Sequence, residues 1–208
     1  METVSTPVGD ARVHVAAARR PRATLVLGHG AGGGIEAADL SALADAGPRL
    51  GVTVVRVESP WRVAGRPVAT PPPTLDAAWR AVLAHLAPDP PLVVGGRSAG
   101  ARVAARTATT VGADACLALA FPLHPPGRPD RSRLPELTGA GVPTVVVQGG
   151  RDPFGGPGEF PRHDAYAVRE VPYADHSFRV PRSAPLTQAE AIGLVVTHVA
   201  GWLRRLAG

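Results

Sequence analysis

At 208 residues the chain is long enough for one domain with a substantial core and short for two. Its 24 glycines and 23 prolines fall between apolar runs rather than in one tract, a pattern of tight loops that speaks against disorder. The net charge of +5 is carried by scattered arginines with no lysine, and only 4% of residues are aromatic. No basic stripe with stacking rings exists, so nucleic acid is excluded as an expected partner.

In chain order, residues 1–10 are polar, lack the apolar stretch of a signal peptide, and read as a flexible or edge-associated segment. Residues 11–17 read as a first, edge strand. The continuous apolar run Thr24-Leu25-Val26-Leu27 predicts a strand covered on both faces. The glycine-rich stretch Gly28-His29-Gly30-Ala31-Gly32-Gly33-Gly34 follows, then a helix over residues 36–46 and a Val-rich strand over 51–57. A proline-rich excursion over 59–73 contains Trp61 and Arg62. The next helix begins near Thr74 as N-cap and is broken at Asp89-Pro90-Pro91. A strand over 92–95 leads to Gly96-Arg97-Ser98-Ala99-Gly100, and an Ala-rich helix runs out of it over 99–111. Strands over 115–120, 142–149 and 166–171 and a helix over 187–205 complete the chain.

Strands alternating with helices indicate a single α/β domain, with a mostly parallel sheet of about six or seven strands and helices on both faces. Functional residues then gather beyond the C-terminal ends of the strands. The lone Cys116 lies in an apolar run, has no partner for an intrachain disulfide, and reads as a buried thiol. No apolar stretch is long enough to span a bilayer, and the expected location is the cytoplasm.

A serine flanked by glycines between a strand and a helix is the pattern of a nucleophile elbow. Serine needs a general base, and the base needs an orienting acid. His176, in Ala174-Asp175-His176-Ser177-Phe178 just after the last strand, is the expected base. Asp152, on the turn after the strand Thr144-Val145-Val146-Val147, is the expected acid; Asp175 is the weaker candidate. Oxyanion donors are expected from the backbone N–H of Ala99 and from that of Ala31 or Gly30. The glycine-rich loop lacks the lysine and hydroxyl of a nucleotide-phosphate loop, and no second ligand stands near His124 at metal-binding spacing, so no cofactor and no metal are expected.

Together, His29-Gly30-Ala31-Gly32-Gly33, the Ser98 pentapeptide, Phe121-Pro122-Leu123-His124-Pro125-Pro126-Gly127, the Asp152-Pro153-Phe154-Gly155 turn and Asp175-His176-Ser177-Phe178 resemble the α/β-hydrolase superfamily. They look most like its small bacterial branch, akin to dienelactone hydrolases and to the testis-expressed and NSL-complex-subunit hydrolase-like proteins. The resemblance implies a serine hydrolase core with Ser98, Asp152 and His176 as nucleophile, acid and base. Dienelactone hydrolases proper use a cysteine nucleophile, so their activity is not carried over. The expected reaction is hydrolysis of small carboxylic esters, with thioesters and amides as further options, through an acyl-enzyme. A non-catalytic interaction protein and an acyltransferase on the same residues are the alternatives.

Residues 121–141 are too few to form a large lid, so the expected cleft is open and suited to a small ester-like molecule. Trp61, Phe121, Phe154 and Phe178 are candidate apolar walls, each also a candidate core residue. Arg97 either supports neighbouring loops or meets an anionic substrate, and His124 is placed to reach the edge of the site. The chain is expected to be a monomer or a homodimer.

Overall fold

The computed structural model describes residues 1–89 and 91–206. Eight strands form one sheet: β1 (Glu2–Thr6), β2 (Gly9–Ala16), β3 (Ala23–Gly28), β4 (Val52–Glu58), β5 (Leu92–Arg97), β6 (Ala115–Leu119), β7 (Thr144–Gly149) and β8 (Tyr166–Val171). Their order across the sheet is β1-β2-β4-β3-β5-β6-β7-β8. From β4 to β8 every pairing is parallel, and only β2 runs antiparallel to its neighbours, β1 and β4. The sheet therefore has one strand more than the upper expectation of seven. The extra strand is β1, which occupies the edge assigned to β2 and places β2 one position inward. Its sequence, Glu-Thr-Val-Ser-Thr, buries only Val4, so its apolar signal is a single residue.

Alternation along the central strands divides the core in two. Val26, Val55, Val94, Ala118 and Val146 face one side, where α3 (Pro72–Leu86) and α4 (Ala99–Thr107) cover them. Leu25, Leu27, Val54, Val93, Leu117 and Val147 face the other, against α1 (Ala38–Ala46) and α6 (Gln188–Leu206). Burial on both faces is why β3 and β6 read as unbroken apolar runs.

Helix boundaries depart from expectation in three places. Helix α3 starts at Pro72, two residues before Thr74, because proline is well suited to the first helical turn, where its missing N–H is not needed. Helix α1 starts at Ala38 rather than residue 36. The helix after the elbow ends at Thr107 and continues only as the 3-10 turn Thr109–Val111. The expected break after α3 includes Pro90, which lies outside the described residues.

Two short helices, α2 (Pro60–Val63) and α5 (Leu134–Thr138), sit in the connections. The segment over residues 121–141 holds only α5 and turns, so no lid covers the C-terminal edge of the sheet. No helix among the described residues is long and apolar enough to cross a membrane.

Candidate active site

The chain leaves β5 through Ser98, whose backbone sits at φ 54° and ψ −111°. An L-residue is strained at positive φ, and the surroundings must hold it there. They do so from both sides: the Ser98 amide donates to Leu119 O at 2.9 Å, and Ser98 O accepts the Arg102 amide at 3.1 Å. The turn also runs hard against the end of β3. A Cβ at Gly96 would stand 2.5 Å from Gly28 O and 2.7 Å from Gly100 C, and one at Gly100 would strike Gly28 as well. Glycine at these two positions is what lets α4 begin directly over the strand ends.

Strand β7 delivers Asp152, whose carboxylate is buried and meets only donors. Its Oδ1 accepts the Phe154 amide at 2.8 Å, and its Oδ2 accepts Gln148 Nε2 at 2.9 Å and His176 Nδ1 at 2.8 Å. The other imidazole nitrogen, His176 Nε2, lies 2.9 Å from Ser98 Oγ. Because a carboxylate can only accept, Nδ1 carries the proton and Nε2 is free to accept from the serine hydroxyl. The ring of Phe154 lies over the imidazole, 4.2 Å between centroids at 31°. Asp175, the weaker acid candidate, turns into its own loop and accepts the amides of Ser177 and Arg179.

The loop after β3 is braced by His29. Its Nδ1–H donates to Gly30 O at 2.9 Å, while its Nε2 accepts the Ser59 amide at 3.0 Å. Burial pushes the imidazole below its ordinary pKa, in keeping with a neutral ring that both donates and accepts. Gly30 is brought against Ser98: a Cβ there would stand 3.4 Å from Ser98 Cβ. Ala31 follows in an exposed turn. Ala99 is the first residue of α4, where amides have no intrahelical acceptor and the helix dipole is positive.

Three of the expected wall residues are buried. Phe121 and Phe178 are fully buried in opposite halves of the core and present no surface to a cleft. Trp61 is also buried, its ring 5.4 Å from that of His29, and lines a small cavity with Trp79 and Ala99. Apolar area this large packs inward when the fold offers it a partner. Phe154, half-buried, lies over His176.

His124 acts on the rim. Its amide donates to Phe154 O at 3.0 Å, Nδ1 donates to Pro125 O and Nε2 to Glu159 Oε2, both at 2.9 Å. These two acceptors, the Pro125 carbonyl first, raise its pKa. Glu159 is held low, first by the Gly156 amide and then by His124.

Two residues at this edge escape the sequence reading. Gln148 is fully buried, and its Nε2 also reaches Gly155 O at 2.7 Å and Phe121 O at 3.2 Å, tying the Asp152 turn to the end of β6. Its signal is a lone amide closing the run Thr144-Val145-Val146-Val147. Asp39, buried on α1, lies 3.6 Å from Arg97 Nε; its signal is a carboxylate on the face of α1 that also carries Leu40, Leu43 and Ala44.

Among solved structures, the chain resembles XC6422 from Xanthomonas campestris, described as an α/β serine hydrolase without a lid. The two are 22% identical over 97% of this chain and 93% of that one, with a TM-score of 0.74. It also resembles a dienelactone hydrolase from Anabaena variabilis (16% identity, 98% and 95% coverage, TM-score 0.73). An esterase from Pyrobaculum calidifontis is similar in the same way (17% identity, 99% and 84% coverage, TM-score 0.69). Among curated proteins, none matches by sequence. The family model of the alpha/beta hydrolase domain matches residues 21–204, so the chain belongs to the α/β-hydrolase family.

Proposed function

We propose that the protein is a serine hydrolase that cleaves small carboxylic esters through an acyl-enzyme. The observation that carries this reading is the unbroken line from Ser98 Oγ to His176 Nε2 at 2.9 Å and from His176 Nδ1 to Asp152 Oδ2 at 2.8 Å. Ser98 Oγ attacks the ester carbonyl carbon while His176 Nε2 takes the hydroxyl proton. Asp152 holds the ring in the required tautomer and stabilises the imidazolium as it forms. The developing oxyanion is met by the amide of Ala99 and by that of Ala31 or Gly30. The tetrahedral adduct collapses, and His176 passes its proton to the departing alkoxide. Water, deprotonated by His176, then attacks the acyl carbon and releases the acid, restoring Ser98.

The lidless edge supports a small or exposed ester as substrate, and thioesters or amides fit the same chemistry. The likeness to a lidless serine hydrolase and to an esterase supports the reading at the level of fold.

A fluorophosphonate probe followed by intact-mass measurement tests it. A single adduct is expected on the native protein, absent in Ser98→Ala and strongly reduced in His176→Ala. Hydrolysis of p-nitrophenyl acetate should fall at least about 10³-fold in both variants. A folded native protein that takes no adduct overturns the reading.

A further inference from the structure

The residue before the nucleophile reaches the base from behind. Arg97 Nη2 donates to the main-chain carbonyl of His176 at 3.0 Å and to Ser177 Oγ at 2.9 Å. Its Nε faces Asp39 Oδ2 at 3.6 Å, with the two side chains only 12% and 2% exposed. Its Nη1 lies beside the loop after β3, 3.9 Å from where a Cβ on Gly33 would stand. One guanidinium thus bonds the base-bearing loop, faces α1 and lies beside the loop after β3, and Nη2 is fully occupied by the chain's own oxygens.

These contacts close a ring. It runs along the backbone from Arg97 to Ser98, across the hydrogen bond from Ser98 Oγ to His176 Nε2, through His176 to its carbonyl, and back across Nη2 to Arg97. The rest of the His176 loop is tied mainly to itself and to the β7 side, through Asp175 and through the Arg151 amide on Ala174 O. Arg97 is therefore the side-chain bond that ties the backbone of the base to the strand carrying the nucleophile.

Asp39 gives this arrangement its second half. A lone guanidinium bonded to the His176 carbonyl would oppose the imidazolium that forms on the same residue during attack. A carboxylate on the far side of the guanidinium offsets that charge while leaving the fork in place. Burial raises the Asp39 pKa, and the Arg97 guanidinium opposes that rise.

We propose that Arg97, charge-compensated by Asp39, is a positioning residue that fixes the distance between His176 and Ser98 and makes no contact with substrate. This rests on the serine-hydrolase reading for its kinetic consequence, but not for its structural one. A small displacement of a base from its nucleophile costs up to about 100-fold in rate. Arg97→Met should therefore lower kcat by about 10- to 100-fold with KM within about twofold of the native value. Arg97→Lys, which keeps the charge beside Asp39, should recover part of that loss. Asp39→Asn should lower kcat in the same way without raising KM.

The second readout needs no turnover. The far-downfield proton resonance of His176 Nδ1–H, hydrogen-bonded to Asp152, should be sharp in the native protein and broadened or lost in Arg97→Met. If KM rises while kcat holds, the guanidinium binds substrate and the proposal falls. If kcat and the resonance are both unchanged, it falls as well. Should Arg97→Met fail to fold, Ser177→Ala removes one of the two hydrogen bonds, and a smaller drop in kcat with weakened resonance is expected. An unchanged rate and resonance in that variant overturns the proposal too. If the native protein proves inactive on every ester, the resonance alone decides the positioning role, separately from the failure of the hydrolase reading.

Discussion

The two ends of the parallel strands solve the same problem, reversing the chain, with different residues. At the C-terminal end four positive-φ positions carry side chains, Ser98 after β5, Ala120 after β6, Tyr173 after β8 and Phe178 in the His176 loop, beside glycines at Gly65, Gly127 and Gly155. At the N-terminal end the turns feeding β4, β6 and β7 place glycine there, at Gly51, Gly112 and Gly141, and among the described residues Ala87 ahead of β5 is the exception. A side chain at positive φ costs on the order of 1–3 kcal/mol, whereas glycine adopts it freely. More of the strain therefore lies where Ser98, Asp152 and His176 meet, and at the opposite end Ala87 alone carries it among the described residues. The difference follows from what each turn has to present. A turn that only reverses the chain needs no side chain, while the turn at Ser98 must hold out a hydroxyl.

The sharpest way to break this contrast is to crowd the strained end. Gly96→Ala should destabilise the protein by about 3 kcal/mol and abolish the proposed hydrolysis of p-nitrophenyl acetate, because the new Cβ meets main-chain atoms at 2.5 and 2.7 Å that no rotamer can avoid. Denaturant unfolding measures the first effect, and native stability in this variant would show that the close approach is not required.

A smaller effect, of opposite sign, tests the strain itself. Ser98→Gly should raise stability by about 1 kcal/mol while eliminating turnover, because the elbow conformation is then adopted freely. Its mirror is Gly112→Ala, at φ 67° with open space around it, which should lose about 1 kcal/mol and leave kcat/KM unchanged. If both substitutions shift stability in the same direction, the contrast between the two ends is wrong.

The smallest expected effect lies in pH. Burial holds His29 below its ordinary pKa, so an unfolded chain takes up this proton at a higher pH than the folded one does. The contribution is fully present above about pH 6.5 and is lost as pH falls through the lower, folded value. The Tm of the native protein should drop more steeply than that of His29→Gln between pH 7 and pH 5. Equal slopes would remove His29 as the acid-sensitive brace of the loop after β3.

Much of this architecture is legible in the amino-acid sequence. Strands β3, β5, β6 and β7 stand out as continuous apolar runs because helices cover both their faces; Ser98 and Asp152 stand out because each follows such a run, and His176 because it follows the last strand. What is not legible depends on partners distant in sequence. Asp39 reads as an ordinary acid in a helix until Arg97 is placed beside it, and Gln148 as the end of a strand until Asp152 turns back over it. Strand β1 is hidden because its pairing with β2 depends on backbone hydrogen bonds and on one buried valine. The large aromatics Phe121 and Phe178 are ambiguous because sequence shows their apolar area but not the direction in which they point.

The seclusion of Cys116 carries a practical consequence. The only thiol of the chain is fully buried in β6, and burial pushes its pKa up to about 12, so almost none of it is thiolate at neutral pH. The native protein therefore offers electrophilic labels no competing sulfur. A cysteine installed at any exposed position would be the sole alkylatable atom of its kind, and a fluorophore or spin probe could report on one chosen loop without first removing a native thiol.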